Sequence, residues 1–438
     1  MRENTPIPAN LVDAALAQCK IENVAAASIR EIVKLVGIIE QTSGKQFIRM
    51  EMGVPGLPAS SVGVEAEIEA LKRGVASVYP SIEGIPILKQ EASRFLKSFV
   101  DVQVSAQGCV PTVGSMQGGL ALFMTLSRAD ARKTHTLFID PGFPVQKQQH
   151  KILGIPFESF DVYEYRGDKL RDKLESYLSK GHISSILYSS PNNPSWICFT
   201  PKELQVIAEV ANKYDVVVIE DQAYFGMDFR TDYSKPGVPP FPPSVAHYTD
   251  QYILLFSASK IFSYAGQRIG FLAVSDALYH RQYPDLSRFF ASTELGHAMV
   301  YGALYGISSG TSHSAQYALA AMLKAANDGT LNFVESVASY GEKAAVMKAL
   351  FLKYGFHVVY EKDEELPLAD GFYFTIAYAG LSGGQLLREL LYYGISAISL
   401  DITGSERTEG LRACVSFART EQFPEMEERL ARFQADHS

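Results

Sequence analysis

The fold is decided by the stretch Ser257-Ala258-Ser259-Lys260-Ile261-Phe262-Ser263-Tyr264-Ala265-Gly266-Gln267-Arg268, a serine- and glycine-rich turn that carries one lysine and one arginine. It follows Tyr252-Ile253-Leu254-Leu255-Phe256, a short uncharged run that predicts a strand buried on both faces of a parallel sheet. Lys260 is therefore predicted just beyond the carboxyl end of a strand. Open α/β sheets bind their ligands at that edge.

The chemistry of Lys260 and Arg268 distinguishes this turn from an ordinary loop. Burial and a cationic neighbour both favour the neutral form of a lysine, which makes Lys260 a candidate for carrying an aldehyde as a Schiff base. Arg268 follows eight residues later, and its planar guanidinium, together with serine hydroxyls and turn amides, suits a phosphate dianion. The alternative is an ordinary lysine on a loop, and other motifs in the chain have to decide between the two.

Three further strand-like runs end at or just before polar or aromatic residues. The run 216–221 ends at Asp221, whose carboxylate either caps the next turn or has a chemical role. The run 183–190 is stopped by Pro191-Asn192-Asn193-Pro194. The run 136–140 is followed by Phe143, whose ring either stacks on a flat heterocycle or packs on a helix.

A glycine turn precedes the predicted helix that begins near Ser115. Gly114, Ser115 and Met116 would offer unpaired backbone amides and the positive end of a helix dipole to an anion. Glycine is also common before helices for steric reasons alone. The turn is therefore a generic candidate for binding phosphate.

The composition limits the function classes. The chain has 438 residues, 47% hydrophobic and 20% charged, which is enough for a large core and two domains, and its formal charge of −8 argues against nucleic-acid binding. No segment reaches the roughly 18 apolar residues of a membrane span. The start Met1-Arg2-Glu3-Asn4-Thr5-Pro6 lacks the order of a signal peptide, so we expect a cytoplasmic location. The four scattered cysteines predict small buried side chains, and we expect no metal site.

The S-x-S-K pattern with an arginine eight residues later resembles the signature of the class I/II aminotransferases, the fold-type-I pyridoxal-phosphate enzymes of the aspartate aminotransferase superfamily. The resemblance covers about residues 28–430, with several motifs in the family's order. It implies an α/β fold: a large domain with a mostly parallel seven-stranded sheet flanked by helices, plus a smaller α/β domain. The expected divisions are an N-terminal arm with part of the small domain (1–53), the large cofactor-binding domain (54–327) and the small C-terminal domain (328–438).

The resemblance also assigns roles around pyridoxal 5′-phosphate. Lys260 would carry the cofactor, Asp221 would pair with its ring nitrogen, and Tyr224 and Asn193 would donate to its phenolic oxygen. Phe143 would stack on the ring, and Tyr79 would reach the phosphate of the neighbouring subunit in a homodimer. The remaining phosphate contacts would come from Gly114, Ser115, Met116, Ser257, Ser259 and Arg268.

The substrate side of the site is implied by three residues. Arg412 resembles the arginine that holds the α-carboxylate, for which the bidentate geometry of a guanidinium is suited, and Gly53 and Asn193 would lie beside it. Two features depart from the family. The N-P turn is followed by Ser195-Trp196 instead of Thr-Gly, so that the chain's one tryptophan either narrows or covers the pocket.

The second departure lies in the stretch 305–316, where aspartate-specific relatives carry a second arginine. Here it contains no arginine or lysine, and His313 is its only possible cation. A buried carboxylate without a charged partner costs several kcal/mol. We therefore expect neutral or aromatic substrates, unless Arg30 or Arg49 supplies the missing charge.

The predicted function is amino-group transfer between an L-amino acid and a 2-oxo acid by a ping-pong mechanism. Lys260 would act as general base at Cα and as general acid at the cofactor carbon. The alternative is another reaction on the same scaffold, a carbon–sulfur lyase or a cyclopropane-forming synthase, which would share every cofactor contact. A cofactor-bound regulator would need a DNA-binding module, and the residues before the main body are too few to supply one.

Overall fold

The computed structural model describes residues 5–437. Its strands are, in chain order, β1 (Ile48–Arg49), β2 (Cys109–Thr112), β3 (His135–Asp140), β4 (Phe157–Asp161), β5 (Ile183–Ser189), β6 (Val217–Asp221), β7 (Tyr252–Ser257), β8 (Gly270–Val274), β9 (Phe356–Val358), β10 (Lys362–Asp363), β11 (Leu366–Pro367), β12 (Tyr373–Tyr378), β13 (Ile395–Ser396), β14 (Ile398–Ser399) and β15 (Leu411–Cys414).

The α-helices are α1 (Ala9–Cys19), α2 (Ile29–Ser43), α3 (Ser61–Lys72), α4 (Pro86–Phe99), α5 (Gly114–Leu126), α6 (Pro144–Leu153), α7 (Lys169–Leu178), α8 (Pro201–Lys213), α9 (Ala258–Ile261), α10 (Asp276–Tyr279), α11 (Leu295–His297), α12 (Tyr305–Ser308), α13 (His313–Asn327), α14 (Ser339–Lys353), α15 (Gly383–Tyr392) and α16 (Phe423–His437). A π-helix, Ala298–Leu304, joins α11 to α12.

The larger sheet has seven strands in the order β2-β8-β7-β6-β5-β3-β4. Strands β3 to β7 run parallel to one another, and β8 is antiparallel to both β7 and β2. Alternate residues of β7 face two different cores, Leu254 and Phe256 on one side and Ile253 and Leu255 on the other. Burial on both faces explains why this run is uncharged. The mostly parallel seven-stranded sheet predicted from the sequence is confirmed.

The smaller sheet is antiparallel, with the order β14-β15-β12-β9. Helices α14, α15 and α16 bury apolar side chains in the core that this sheet shares. Near it, β1 pairs in parallel with β13 and so ties the N-terminal region to the C-terminal region. Residues 48–49 and 395–396 therefore meet in space.

The sequence also predicts capping boxes of Ser28 with Glu31 and of Thr200 with Glu203, and an interrupted helical stretch from Ser314 to about Tyr354. All three predictions are confirmed. The capping box of Ser28 with Glu31 opens α2, and that of Thr200 with Glu203 opens α8. In each, the hydroxyl accepts from the third backbone N–H of the helix while the glutamate accepts from the cap residue. The long helical stretch after Ser314 is interrupted, as expected, between α13 and α14.

Three further predictions from the sequence are wrong: an antiparallel edge strand over 270–274, an alternating strand from Ile48 that ends in Gly53, and the burial of all four cysteines. Strand β8 is antiparallel but not at the edge, because β2 continues the sheet beyond it. The strand expected over 48–53 ends at Arg49, because the carbonyl groups of Glu51 and Gly53 turn away to accept from the side chains of Arg412 and Lys260. The third concerns the cysteines: Cys109 and Cys414 are buried, whereas Cys19 and Cys198 are partly exposed.

The structure does not describe the residues at either terminus of the sequence. Met1 to Asn4, which entered the expectation about a signal peptide, and Ser438 lie outside the described residues. Within 5–437, no helix combines the length and the apolar character needed to cross a bilayer.

Candidate active site

Lys260 lies on α9, the short helix that directly follows β7. Ser257 caps this helix by accepting from the backbone N–H of Ser259 at 3.2 Å, and both serines are buried. The ammonium group donates to the carbonyl oxygen of Gly53 and lies 4.8 Å from the ring centroid of Phe372. Burial lowers the pKa of Lys260 to about 8, and the positive charges of Arg412 and Arg268 act in the same direction. Lys260 can therefore give up its proton near neutral pH.

Asp221 ends β6 as a buried carboxylate, 7% exposed. It accepts from the backbone N–H of Ala223 at 3.1 Å and from Nε2 of Gln146 at 3.0 Å. Both donors are neutral, and no cationic side chain of residues 5–437 forms an ion pair with it. Burial consequently raises the pKa of Asp221 to about 6. The carboxylate caps its turn, as one reading expected, and it also lacks the positive partner that a protonated ring nitrogen would supply.

Tyr224 and Tyr373 form a buried hydroxyl pair. Their Oη atoms are 2.8 Å apart, and the rings meet edge-on with centroids 5.5 Å apart. Burial raises the pKa of Tyr224 well above its ordinary value, and the neighbouring Tyr373 adds to this. Tyr224 therefore keeps its proton and can donate it in a hydrogen bond. The ammonium of Lys260 lies 5.9 Å from the Tyr224 ring centroid, so the pair adjoins the lysine.

Arg412 is a buried guanidinium on β15, 2% exposed. Nη2 donates to the carbonyl oxygen of Glu51 at 2.6 Å, and Nη1 donates to Oδ1 of Asn193 at 3.3 Å. The guanidinium carbon lies 4.7 Å from the ring centroid of Tyr373. Nε is buried without a hydrogen-bond partner, and no Asp or Glu side chain of the described chain pairs with Arg412. A buried cation with an unused donor suits a carboxylate ligand.

The glycine turn and Arg268, two separate candidates for binding phosphate, lie next to each other. Gly114 begins α5 with φ +66, and a Cβ added to it would lie 2.7 Å from Nη2 of Arg268. Ser115 and Met116 follow in the first helical turn, whose N–H groups have no partner within the helix. Arg268 is exposed and makes one side-chain hydrogen bond, from Nη1 to the carbonyl oxygen of Ala265 at 3.0 Å. The turn and the guanidinium together form a cradle for an anion.

Phe143 caps α6 and is half-buried beyond the end of β3. Its carbonyl oxygen accepts from the backbone N–H of Gln146 at 3.2 Å, so the ring lies on the same turn as the side chain that binds Asp221. Tyr79 differs from the other predicted residues. It is 90% exposed, and its hydroxyl has no hydrogen bond within the part of the chain that the structure describes.

Trp196 does not line open space. It is 1% exposed and packs edge-on against Tyr224 and Tyr373, with ring centroids 5.3 and 6.1 Å away. A Cβ added to Gly371 would overlap the indole. The backbone of Trp196 has φ 67, the left-handed region that favours glycine. The indole thus supports the tyrosine pair at a position where the related motif has glycine.

Arg30, Arg49 and His313 are the possible substitutes for a second carboxylate-binding arginine, and two of them already bond other groups of the described chain. Arg49 pairs with Glu51 at 2.7 Å and with Glu40 at 3.3 Å, and Arg30 is exposed at the start of α2. Nδ1 of His313 bonds the carbonyl oxygens of Val75 and Val78, at 3.2 and 3.0 Å. Arg49 and His313 are therefore already engaged.

Two residues of the site were not predicted from the sequence. Gln146 binds Asp221 and could have been found, because it follows Phe143 by one helical turn on the helix that starts there. Tyr373 begins β12 in a run of aromatic residues that reads as core, so no pattern singled it out.

Comparisons with known proteins identify the family to which this chain is similar. The family model described as "Aminotransferase class I and II" matches residues 46–430. A "Probable aspartate aminotransferase" of Methanocaldococcus jannaschii is 27% identical over 263 residues, which are 60% of this chain and 64% of that protein. The "Glutamate-pyruvate aminotransferase AlaC" of Escherichia coli is 25% identical over 239 residues, 54% of this chain and 55% of that protein. Such alignments span about half to two thirds of the curated relatives' own length.

A solved structure has the same fold over almost its whole length. The alanine aminotransferase from Pyrococcus furiosus superimposes with a TM-score of 0.76 at 20% identity, covering 96% of this chain and 99% of that chain.

Proposed function

Because the chain belongs to the class I and II aminotransferase family, we propose that it is a pyridoxal-phosphate-dependent aminotransferase that moves an amino group between an L-amino acid and a 2-oxo acid. The observation that carries the proposal is Arg412, a buried guanidinium with an unpartnered Nε and no carboxylate partner among the described residues. The Arg412 guanidinium packs against the ring of Tyr373, whose hydroxyl contacts that of Tyr224. The positive charge of Arg412 also helps to lower the pKa of Lys260. An α-carboxylate bound there would lie beside the lysine.

The residues around Lys260 fit pyridoxal 5′-phosphate. The buried carboxylate of Asp221 offers the anion that a protonated ring nitrogen needs, and Tyr224 offers a hydroxyl proton for the phenolic oxygen. The anion cradle of Gly114 and Arg268 suits the phosphate, and the φ of +66 at residue 114 favours glycine there. The other proposed cofactor contacts are Ser115, Met116, Phe143, Asn193, Ser257 and Ser259, with Tyr79 from the second subunit.

The chemistry divides between cofactor and chain. Bound pyridoxal phosphate supplies a ring that accepts electrons from the substrate Cα. Arg412 and Asn193 hold the substrate carboxylate. Gly53 has no side chain, so the backbone there can approach that carboxylate closely. Lys260, with its pKa lowered to about 8, would take the proton from Cα as a general base and donate it to the cofactor carbon as a general acid. A ping-pong order follows, because the first 2-oxo acid leaves before the second one binds.

A homodimer completes this proposal. Helix α3 exposes Val64, Ile68 and Leu71 along one face, at a spacing of four and three residues. Tyr79 lies a few residues beyond that helix with its ring in solvent. A second copy of the chain would cover this apolar face and bring Tyr79 to the partner's phosphate cradle.

Two further expectations remain proposals. We retain the domain limits 1–53, 54–327 and 328–438, supported by the seven-stranded sheet within the second segment and the four-stranded sheet within the third. We also retain a cytoplasmic location, supported by the four free cysteines, because secreted proteins more often carry disulfides.

The experiment that tests the function measures the first half-reaction. Enzyme loaded with pyridoxal phosphate is mixed with single amino acids and no 2-oxo acid. A transaminase releases one equivalent of 2-oxo acid per site and then stops until an acceptor is added. Continued turnover without an acceptor would instead establish the lyase or synthase alternative.

A further inference from the structure

We propose that Tyr373 is a positioning residue: it donates a hydrogen bond to the Tyr224 hydroxyl and thereby directs the Tyr224 proton toward the phenolic oxygen of the cofactor. This inference rests on the proposed function. Its structural basis is the 2.8 Å contact between the two Oη atoms. No aspect of the sequence pattern assigns a role to Tyr373.

The direction of the hydrogen bond follows from counting protons. Each phenol has one proton, so only one of the two hydroxyls donates within the pair. If Tyr224 donated to Tyr373, its proton would be used inside the pair and none would remain for the cofactor. If Tyr373 donates, the Tyr224 proton is free to point elsewhere. A donor behind a hydroxyl also polarises it and strengthens its own donation.

Packing holds Tyr373 in the position that this requires. It pairs with Cys414 of the neighbouring strand β15, and the Arg412 guanidinium lies against its ring. A Cβ added to Gly53 would overlap the Tyr373 hydroxyl, so that oxygen fills the space which glycine leaves. Trp196 meets the ring edge-on at 6.1 Å. Phenylalanine would fill the same core equally well, and a buried hydroxyl is unfavourable unless it is bonded.

The titratable and charged groups around the pair are few. Arg412 and Cys414 reach it from β15, and Lys260 reaches it from α9. Burial raises the pKa of both tyrosines, so both keep their protons in the neutral range. Tyr373 thus touches the arginine proposed to bind substrate and the hydroxyl proposed to bind cofactor.

The test is the pH dependence of the absorbance of bound cofactor, measured without substrate. A hydrogen bond to the phenolic oxygen stabilises its anion and so favours loss of the Schiff-base proton. Tyr373→Phe should therefore raise the pH midpoint by about 0.5 to 1 unit, the equivalent of one weakened hydrogen bond. Tyr188→Phe is the matched control, because it removes a buried hydroxyl that has no hydrogen-bond partner among residues 5–437, and it should leave the midpoint unchanged.

A double-mutant cycle distinguishes positioning from packing. If Tyr373 acts through Tyr224, then Tyr373→Phe adds no further change to Tyr224→Phe. Equal midpoints for wild type and Tyr373→Phe, or fully additive changes, would overturn the proposal. Wild-type protein that shows no cofactor absorbance would refute the proposed function instead.

Folding is checked by the emission of Trp196, the chain's one tryptophan, which packs on both rings. If Tyr373→Phe does not fold, Gly53→Ala serves as the second variant, because its Cβ must displace the Tyr373 hydroxyl. It should raise the midpoint in the same direction, and an unchanged midpoint would contradict the role of Tyr373.

Discussion

Asp221→Asn should have opposite effects on the stability of the cofactor-free and the cofactor-loaded protein. Burial raises the pKa of Asp221 to about 6, well above that of an exposed aspartate. A group with a raised folded-state pKa contributes its stability below its unfolded pKa and loses it as the pH rises through the folded value. A rise of about two pKa units corresponds to about 3 kcal/mol. Ionised Asp221 therefore destabilises the cofactor-free fold by about that amount above pH 6.

The neutral amide removes this cost and can keep both hydrogen bonds if the Gln146 amide turns around. We expect Asp221→Asn to stabilise the cofactor-free protein by about 2 to 3 kcal/mol at pH 8. The gain should shrink as the pH falls from 6 toward 4. In the loaded protein the same change removes the anion opposite the ring nitrogen, so both cofactor affinity and ligand-dependent stabilisation should fall.

The assay is urea unfolding, followed by circular dichroism, of both variants at pH 5 and pH 8 with and without pyridoxal phosphate. Asp140→Asn is the matched control. Asp140 is also buried, with its pKa raised to about 6, but it is paired with Lys147. By the same linkage its amide should also stabilise the cofactor-free protein at pH 8, but it should leave the stabilisation by pyridoxal phosphate unchanged, because no cofactor contact is proposed for Asp140. A cofactor-free Asp221→Asn protein that is less stable than wild type at pH 8 would refute the reasoning.

Three further predictions follow from the same structure. Trp196→Gly and Trp196→Ala should each lower the free energy of unfolding by about 3 kcal/mol or more, because the buried indole is lost. The glycine variant should be the more stable of the two by about 1 kcal/mol, because φ at this position is 67. Thermal unfolding of both variants checks this, and a more stable alanine variant contradicts it. An inactive Tyr79 variant mixed with an inactive Lys260 variant should regain partial activity through hybrid dimers, and no gain despite proven subunit exchange would argue against shared sites. Comparison of kcat/KM for aspartate with alanine, leucine and phenylalanine should favour the neutral substrates, and a preference for aspartate above about tenfold, or about 1.4 kcal/mol, would exclude our account of the 305–316 stretch.

The larger sheet could be predicted because its strands are short, mostly apolar and closed by turn residues. The pattern of apolar residues and the residue composition of each segment predict a buried strand directly, as in β5, β6 and β7. The position of β8 within the sheet could not be predicted, because strand order depends on contacts between distant segments. Strand β2 pairs with β8 across 155 or more residues of intervening chain, and no local pattern marks that pairing.

The candidate site divides in the same way. Strand ends and turns single out Lys260 and Asp221 as candidates, whereas the role of Asn193 comes only from the family resemblance. The proximity of Arg268 to Gly114 is visible only in the structure. Tyr373 could not be predicted, because its hydroxyl differs from a core phenylalanine only through the 2.8 Å contact with Tyr224. The burial of Trp196 could not be predicted either, because the indole occupies the space that Gly371, on a distant segment of the chain, leaves open.

The central claim is that Lys260 carries pyridoxal phosphate as a Schiff base. Borohydride reduction of the loaded protein, followed by proteolysis and mass spectrometry, tests it most directly. The account predicts one modified lysine per chain, on the peptide that contains Lys260, and no reducible adduct in Lys260→Ala protein that still folds. Modification of a different lysine, or an adduct that persists in the Lys260→Ala variant, would contradict it.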